Sequence, residues 1–130
     1  MSSGTSFELP DGYGDIAASE PFVYTTTFAD KGLRCLTHDG TEVASYGDPE
    51  KEIYSPILAP HGLLFCVLGD DIDPEQDEII ALDAQTLQPR HRFGLSLLND
   101  ARWMVVVGEE LFVCDHRNDR IQVFSLAGEH

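Results

Sequence analysis

The segment LFVCDHRNDRIQVFSLAG, Leu111 to Gly128, is the part of the chain that decides the fold. It contains two apolar, β-prone runs, Leu111–Val113 and Ile121–Phe124, with a polar stretch between them. Alternation of apolar and polar residues over four or more positions is typical of a half-buried strand. We therefore predict two antiparallel strands joined by a polar turn, with Cys114, Asp115 and His116 where the first strand ends.

The same pattern occurs twice more upstream, in FVYTTTFADKGLRCLTHDGTEVASYG and in LLFCVLGDDIDPEQDEIIALDAQTLQPRHRFG. Val23 and Leu111 lie 88 residues apart, as do Leu33 and Ile121, so the mean period is about 44 residues. In the second unit, we take Ile80 as the position that matches Leu33 and Ile121. This unit has roughly six extra residues, which we assign to the loop GDDIDPEQDE.

Each unit begins with a further short apolar run, and we predict four strands per unit, A to D, with no helix. The runs that start strand A are Ile16–Ala18, Ile57–Ala59 and Met104–Val106. Four-stranded units at this period are typical of propeller blades. We predict an all-β chain whose residues 1–130 form a single partial β-propeller domain, with blades at about 13–47, 54–94 and 101–130.

Three blades are too few to close a ring, because propellers typically have about four to eight. The third unit also lacks a D strand of its own, and residues 1–9 are the segment placed to supply a closing strand. We therefore expect each chain to be half of a six-bladed propeller and two chains to form a homodimer that completes it.

The third unit resembles the NHL repeat, whose pattern runs roughly G-x-I-Y-V-A-D…N-x-R-I-Q-V-F-D…G. Asp115, Asn118 and Gly128 are in place, as is the run Arg120–Phe124. The first unit matches loosely, with Thr27 where Asp115 stands in the third unit. The second unit matches only in Ile79–Asp83 and Arg92–Gly94. The resemblance implies a β-propeller that serves as a platform for protein interaction.

This resemblance favours a structural interpretation of Cys-Asp-His. Asp115 falls where the family has an aspartate at the end of strand B, and a carboxylate there can accept backbone N–H groups of the turn. Cys114 lies on a predicted strand, where a buried cysteine is more often a small hydrophobe than a nucleophile. His116 has no second histidine at a metal-ligand spacing. We interpret the segment as a turn, with His61-Gly62 as a two-residue hairpin turn elsewhere.

The acidic stretch DDIDPEQDE has carboxylates at alternate positions, which invites a calcium interpretation. Counted from Asp71, however, the sixth and twelfth positions of a calcium loop hold Gln76 and Leu82 instead of glycine and glutamate. A solvated acidic loop is therefore favoured over a weak calcium site. No other cofactor or metal is expected.

The net charge of −15, from 23 acids and 8 bases, argues against nucleic acid and anionic membrane as partners. Most acids fall in the D–A connections and B–C loops, which share one rim of a propeller. We predict that this rim binds a basic or cationic protein partner. The candidate partner-binding residues combine acids with aromatic and basic side chains: Asp15, Tyr54, Asp71, Asp73, Asp77, Glu78, Arg102, Trp103, His116 and Arg117.

The sequence favours a non-catalytic binding scaffold without deciding whether any activity exists. The alternative is a metal-dependent propeller hydrolase or lyase of the lactonase or amidating-lyase type, whose ligands would converge from the A-strand ends. Here those ends hold Asp15, Pro56 and Trp103, a poor coordination set. A piece of a larger propeller is the third interpretation. The odd number of cysteines and the absence of a visible signal peptide or long apolar run predict reduced thiols and a cytoplasmic protein.

Overall fold

Eleven strands and one short 3₁₀ helix make up the part of the chain that the computed structural model describes, which is residues 6, 13–27, 32–69, 73 and 76–130. The strands are β1 (Tyr13–Ala18), β2 (Phe22–Thr27), β3 (Gly32–Thr37), β4 (Glu42–Gly47), β5 (Glu52–Ala59), β6 (Leu63–Gly69), β7 (Glu78–Asp83), β8 (Pro89–Phe93), β9 (Ala101–Val107), β10 (Glu110–Asp115) and β11 (Arg120–Ser125). The 3₁₀ helix covers His116–Asn118, between β10 and β11.

The strands form three antiparallel sheets in chain order. The first sheet has the order β1-β2-β3-β4, the second β5-β6-β7-β8, and the third has β9, β10 and β11 with β10 in the middle. This confirms the predicted all-β fold of consecutive blades. The proposed closing strand, residues 1–9, lies outside the described residues except for Ser6, so the described third sheet has three strands.

Two hydrophobic cores fill the spaces between neighbouring sheets. The first core joins Tyr24, Leu33 and Cys35 of the first sheet to residues such as Leu64 and Ile80 of the second. The second core joins the opposite face of the second sheet to the third and contains Phe65, Ile79, Ala81, Leu111 and Phe124. Alternate residues of β6 and β7 therefore point into different cores. This is why both strands are apolar at almost every position instead of alternating with polar residues.

Strand pairing corrects the predicted equivalences in the second unit. Ala18 pairs with Val23 and Val106 with Leu111, but Leu58 pairs with Leu64, which lies one residue further along the chain. The turn at His61 and Gly62 is therefore one residue longer than predicted, since Ala59 pairs with Leu63 across three residues. A shift of one residue moves a side chain to the other face of a sheet.

Because of this shift, the residues of the second unit that lie on the same face as the equivalent residues of the other units are one position away from those predicted from the sequence. Ile79, rather than Ile80, packs toward the following sheet as Leu33 does. Pro56, rather than Ile57, corresponds to Ile16 and Met104. Counting apolar runs placed all the extra residues in the acidic loop, whereas the pairing puts one of them in the first hairpin turn.

No helix in the described part of the chain is long and apolar enough to cross a membrane.

Candidate functional site

The first strands of the three sheets lie side by side and enclose an open cleft of about 390 Å³. Each of these strands carries an irregularity at the cleft, between Tyr13 and Ile16 in β1, between Tyr54 and Ile57 in β5, and opposite Cys114–Asp115 in β9. Such β-bulges redirect side chains. The cleft is lined by Gly14, Asp15, Ile16, Ser55, Pro56, Ile57, Arg102, Trp103 and Met104.

Hydrogen bonds across the cleft connect the three sheets through Ser55. Its backbone N–H donates to Asp15 Oδ2 at 2.7 Å, and its hydroxyl donates to the carbonyl oxygen of Arg102. Ser55 has φ of 55°, in the left-handed region that non-glycine residues rarely adopt. Sequence reasoning missed Ser55. Nothing in Tyr-Ser-Pro predicts positive φ there, since a residue before proline usually favours an extended conformation.

Asp15, Arg102 and Trp103 of the predicted set line this cleft, and Tyr54, also predicted, contacts Arg102 beside it. The guanidinium carbon of Arg102 lies 4.8 Å from the centre of the Tyr54 ring, a cation–π geometry, and Arg102 Nε donates to Asp100 Oδ1 at 2.8 Å. Burial lowers the pKa of Arg102, but its interactions with Tyr54 and Asp100 outweigh that effect and raise it overall. The Trp103 side chain is 64% exposed. The cleft thus offers one carboxylate, one guanidinium and one accessible indole.

Part of the predicted acidic loop lies among the described residues, and there it is largely buried. Asp77 is buried and its Oδ2 accepts the backbone N–H of Ala101 at 2.9 Å, tying the second sheet to the third. Glu78 is also buried, 3.0 Å from Arg92 and 3.4 Å from Lys51. Asp73 is half-buried, and Asp71 lies outside the described residues. Asp77 and Glu78 are therefore already engaged in hydrogen bonds and ion pairs within the chain.

Asp115 is fully buried and forms the centre of a polar network. Its Oδ1 accepts the backbone N–H of Asn99 at 2.7 Å. Its Oδ2 accepts from Asn118 Nδ2 at 2.9 Å, Arg120 Nε at 3.2 Å and Gln122 Nε2 at 3.2 Å. The sequence predicted an accepting carboxylate here, but its one backbone donor comes from the preceding D–A connection and not from the B–C turn.

Burial raises the pKa of Asp115, and the hydrogen bonds from Asn118, Asn99, Gln122 and Arg120 outweigh this effect and lower it below its ordinary value. The carboxylate is therefore held in its charged form by donors that surround it. Such a group is committed to structure and has no face open to a substrate.

His116 and Arg117 are exposed on the 3₁₀ helix beside this network. The backbone N–H of Arg117 donates to the carbonyl oxygen of Asn99 at 3.1 Å, and its Nε lies 3.8 Å from Asp100 Oδ2. Asp100 therefore stands between Arg117 on the rim and Arg102 at the cleft. The structure brings these candidate residues to one end of the third sheet.

Two of the three cysteines are enclosed in the first core. Cys35 and Cys66 are fully buried, and Cys114 is partly accessible. Burial raises the pKa of Cys35 to about 11 and also raises that of Cys66. All three are free thiols in the structure.

Among residues 6, 13–27, 32–69, 73 and 76–130, no group of three or more His, Cys, Asp or Glu side chains is arranged to hold a metal ion. The loop proposed as an alternative calcium site lies largely outside these residues.

Comparison with known proteins relates the chain to others by fold. No protein-family model matches it, and no curated protein matches it by sequence. Among solved structures, a form of the β-propeller protein Hsv2 of Kluyveromyces lactis in which loop 6CD is replaced by a Gly-Ser linker aligns with TM-score 0.67 and 12% identity, over 97% of this chain and 40% of that one.

Two further structures agree. A protein of unknown function from Bacteroides caccae aligns with TM-score 0.64 and 13% identity, over 96% of this chain and 46% of that one. The dihydro-heme d1 dehydrogenase NirN aligns with TM-score 0.64 and 13% identity, over 90% of this chain and 26% of that one. The chain thus spans less than half the length of these three structures. Likeness at this identity shows the β-propeller fold alone.

Proposed function

We propose that this chain is a non-catalytic β-propeller scaffold of the NHL type that binds a basic protein partner at the rim formed by its D–A connections and B–C loops. The observation that carries this proposal is the charge balance of that rim. The rim bases that the structure describes lie in ion pairs with carboxylates of the rim, and acidic residues outnumber basic ones in the rim segments of the sequence. A cytoplasmic location remains our prediction.

The ion pairs of the rim support this proposal. Lys51 lies 3.4 Å from Glu78, Arg102 lies 2.8 Å from Asp100, and Arg120 lies 3.2 Å from Asp115. Bases bound in this way offer little attraction to an anionic partner. Glu50 and Asp119 are exposed on the same rim, and a field of one sign there speeds encounter with a partner of the other sign.

The Asp115 network supports the NHL assignment. Asn118, Arg120 and Gln122, all part of the matching motif, donate to Asp115. The spacing of the motif therefore has a physical basis: the residues it fixes surround one buried carboxylate and hold the B–C turn. A motif explained by structure in this way does not require a catalytic role.

The contacts of the cleft residues support a binding role for the cleft rather than a catalytic one. Asp15 Oδ2 accepts the Ser55 N–H, and Arg102 contacts Asp100 and Tyr54. What the cleft leaves accessible is mainly Trp103 and Ile16, 64% and 70% exposed. Tryptophan and arginine are enriched where binding energy concentrates in interfaces. The cleft mouth therefore suits contact with a partner side chain beside the acidic rim.

The test is a titration with a labelled peptide of about ten residues rich in lysine and arginine, followed by fluorescence anisotropy at several salt concentrations. The rim variant is Glu50→Gln with Asp119→Asn. The matched control is Glu20→Gln with Glu129→Gln, two exposed acids at the turns of the opposite end. Because exposed ion pairs contribute roughly 0.2 to 1 kcal/mol each, the two substitutions of the rim variant should together weaken binding by about 2- to 30-fold at low salt and flatten its salt dependence.

The control should leave both quantities unchanged. If both variants weakened peptide binding equally, the peptide would be attracted by the net charge of the protein and not by a site on the rim. No binding by the wild type at low salt would refute a basic partner altogether.

A further inference from the structure

The outer side of the third sheet presents a continuous apolar surface. Strand pairing aligns Trp103, Cys114 and Ile121 in one row across β9, β10 and β11, and Val105, Phe112 and Val123 in the next. We call these six residues the open face. In the described structure no sheet packs against it.

Exposure on the open face is high for side chains of this kind. Trp103 is 64% exposed, Val105 56% and Ile121 59%. Single exposed apolar residues are ordinary in proteins, but a contiguous apolar patch usually marks an interaction site. The open face is such a patch.

The first two sheets show what covers this face elsewhere in the same chain. Phe65, Ile79 and Ala81 occupy the positions of Phe112, Ile121 and Val123 in the second sheet, and all three are fully buried against the third sheet. In the first sheet the same positions are held by Tyr24, Leu33 and Cys35, which are buried against the second sheet. Twice within the chain, then, this face is covered by the next blade.

The first sheet carries the counterpart of this covering surface, at the other end of the stack. The face that each later sheet turns toward its predecessor includes Pro56 in the second sheet and Met104 in the third, both buried. The corresponding residue of the first sheet, Ile16, is 70% exposed. Thr25 and Leu36, which share this face with Ile16, are buried within the chain, so the part of the surface that the first sheet leaves uncovered lies at Ile16.

We propose that the open face binds the first sheet of a second copy of this chain, at the uncovered edge that contains Ile16. The same contact made in both directions joins two chains by a two-fold axis and closes a ring of six sheets. Two-fold closure is the commonest symmetry of soluble oligomers, and six lies within the usual number of propeller blades. This inference rests on the packing of the sheets; it shares Trp103 and Ile16 with the proposed partner contact at the cleft, whereas the rim acids Glu50 and Asp119 lie outside the open face.

The test is the mass in solution, measured by light scattering from about 1 to about 100 µM protein, because association depends on concentration. The expected mass is about twice the 14.4 kDa of one chain. Trp103 is the only tryptophan of the chain. Its emission should shift to shorter wavelength, and its quenching by acrylamide should fall, as the dimer forms.

Ile121→Asp should convert the dimer to a folded monomer, since Ile121 is already largely exposed within one chain. Leu95→Asp makes a comparable change at a residue 48% exposed in the connection before β9, away from the open face, and should remain dimeric. Ile121→Val should remain dimeric as well.

A well-folded wild-type monomer at the highest concentration would overturn the proposal, as would an unchanged dimer in Ile121→Asp. Masses that rise without limit would show that the faces pair without closing a ring, which also contradicts it. Dilution of the wild type with no change in Trp103 quenching would place any dimer contact elsewhere.

Discussion

Replacing Asp115 with asparagine tests the buried network that gives the third unit its motif. The amide oxygen can still accept the Asn99 N–H, now 2.7 Å from Oδ1. The amide nitrogen then faces three donors on Asn118, Arg120 and Gln122, where Oδ2 now accepts. Asn118 and Arg120 are exposed and can turn to water, but Gln122 is buried.

The magnitude follows from those contacts. Loss of hydrogen bonds to a charged acceptor costs about 1.5 to 3 kcal/mol, and a stranded buried donor costs about 1 to 3 kcal/mol more. We expect Asp115→Asn to lower the free energy of unfolding by about 3 to 5 kcal/mol, a large share of the roughly 5 to 15 kcal/mol typical of a folded domain. Urea unfolding followed by Trp103 fluorescence and far-ultraviolet circular dichroism measures this, at one fixed protein concentration.

The control is Asp119→Asn, the same change four residues further on. Asp119 is exposed and has φ of 53°, a conformation that asparagine also accepts readily. Its effect should stay within about 0.5 kcal/mol. A loss below about 1 kcal/mol for Asp115→Asn would refute the claim that this carboxylate organises the turn.

The pH dependence gives an independent check of the same residue. Because the folded protein holds the pKa of Asp115 below its ordinary value of about 3.9, its stabilising contribution is full above that value and is lost as the pH falls through the folded-state pKa. The difference between wild type and Asp115→Asn should therefore be constant above about pH 5 and shrink below about pH 4. A difference that grows on acidification would contradict this account.

Two further predictions concern side-chain packing. Gly128→Ala should cost about 2 to 4 kcal/mol of unfolding free energy, because Gly128 has φ of 90° and a Cβ there would lie 2.7 Å from the Phe93 ring; Gly108→Ala, with φ of 58° and no atom within 4 Å, should cost only about 1 kcal/mol in the same urea assay. Of the thiols, Cys114 should react first with a disulfide reagent in the folded Ile121→Asp monomer, since Cys35 and Cys66 are buried within one chain and burial raises their pKa values. Equal rates for all three thiols in that variant would contradict the packing.

Much of the fold was predictable because repetition makes its signal strong. The apolar run of each strand recurs at nearly constant spacing, and a single blade cannot bury both of its faces, so stacked sheets were the natural interpretation. The finer register was not predictable from such runs. Pro60 begins a turn one residue longer than the sequence suggested, and Ile79 and Ile80 are both apolar, so hydrophobicity alone does not decide which faces the next sheet.

The sequence predicted which types of residue form the candidate site, but it did not predict their geometry. Asp15, Arg102 and Trp103, which line the cleft, could be named as candidates because aromatic and charged side chains stand near the starts of β1, β5 and β9. Ser55 could not be found by counting. It lies in an irregular stretch of β5, where an extra residue interrupts the pairing between Tyr54 and Ile57.

A β-bulge occurs near the same point in the first strand of each sheet, β1, β5 and β9, and these bulges explain how the cleft forms. In each strand one extra residue bulges where the strand approaches its neighbours: Gly14–Asp15 in β1, Ser55–Pro56 in β5 and Arg102 in β9. Regular pairing would send alternate side chains into the cores on either side. Because a bulge turns backbone groups and side chains out of that alternation, Asp15, Ser55 and the Arg102 carbonyl can meet across the cleft. The bulges therefore keep these residues out of the hydrophobic cores, and there they hold the three sheets together along their first strands.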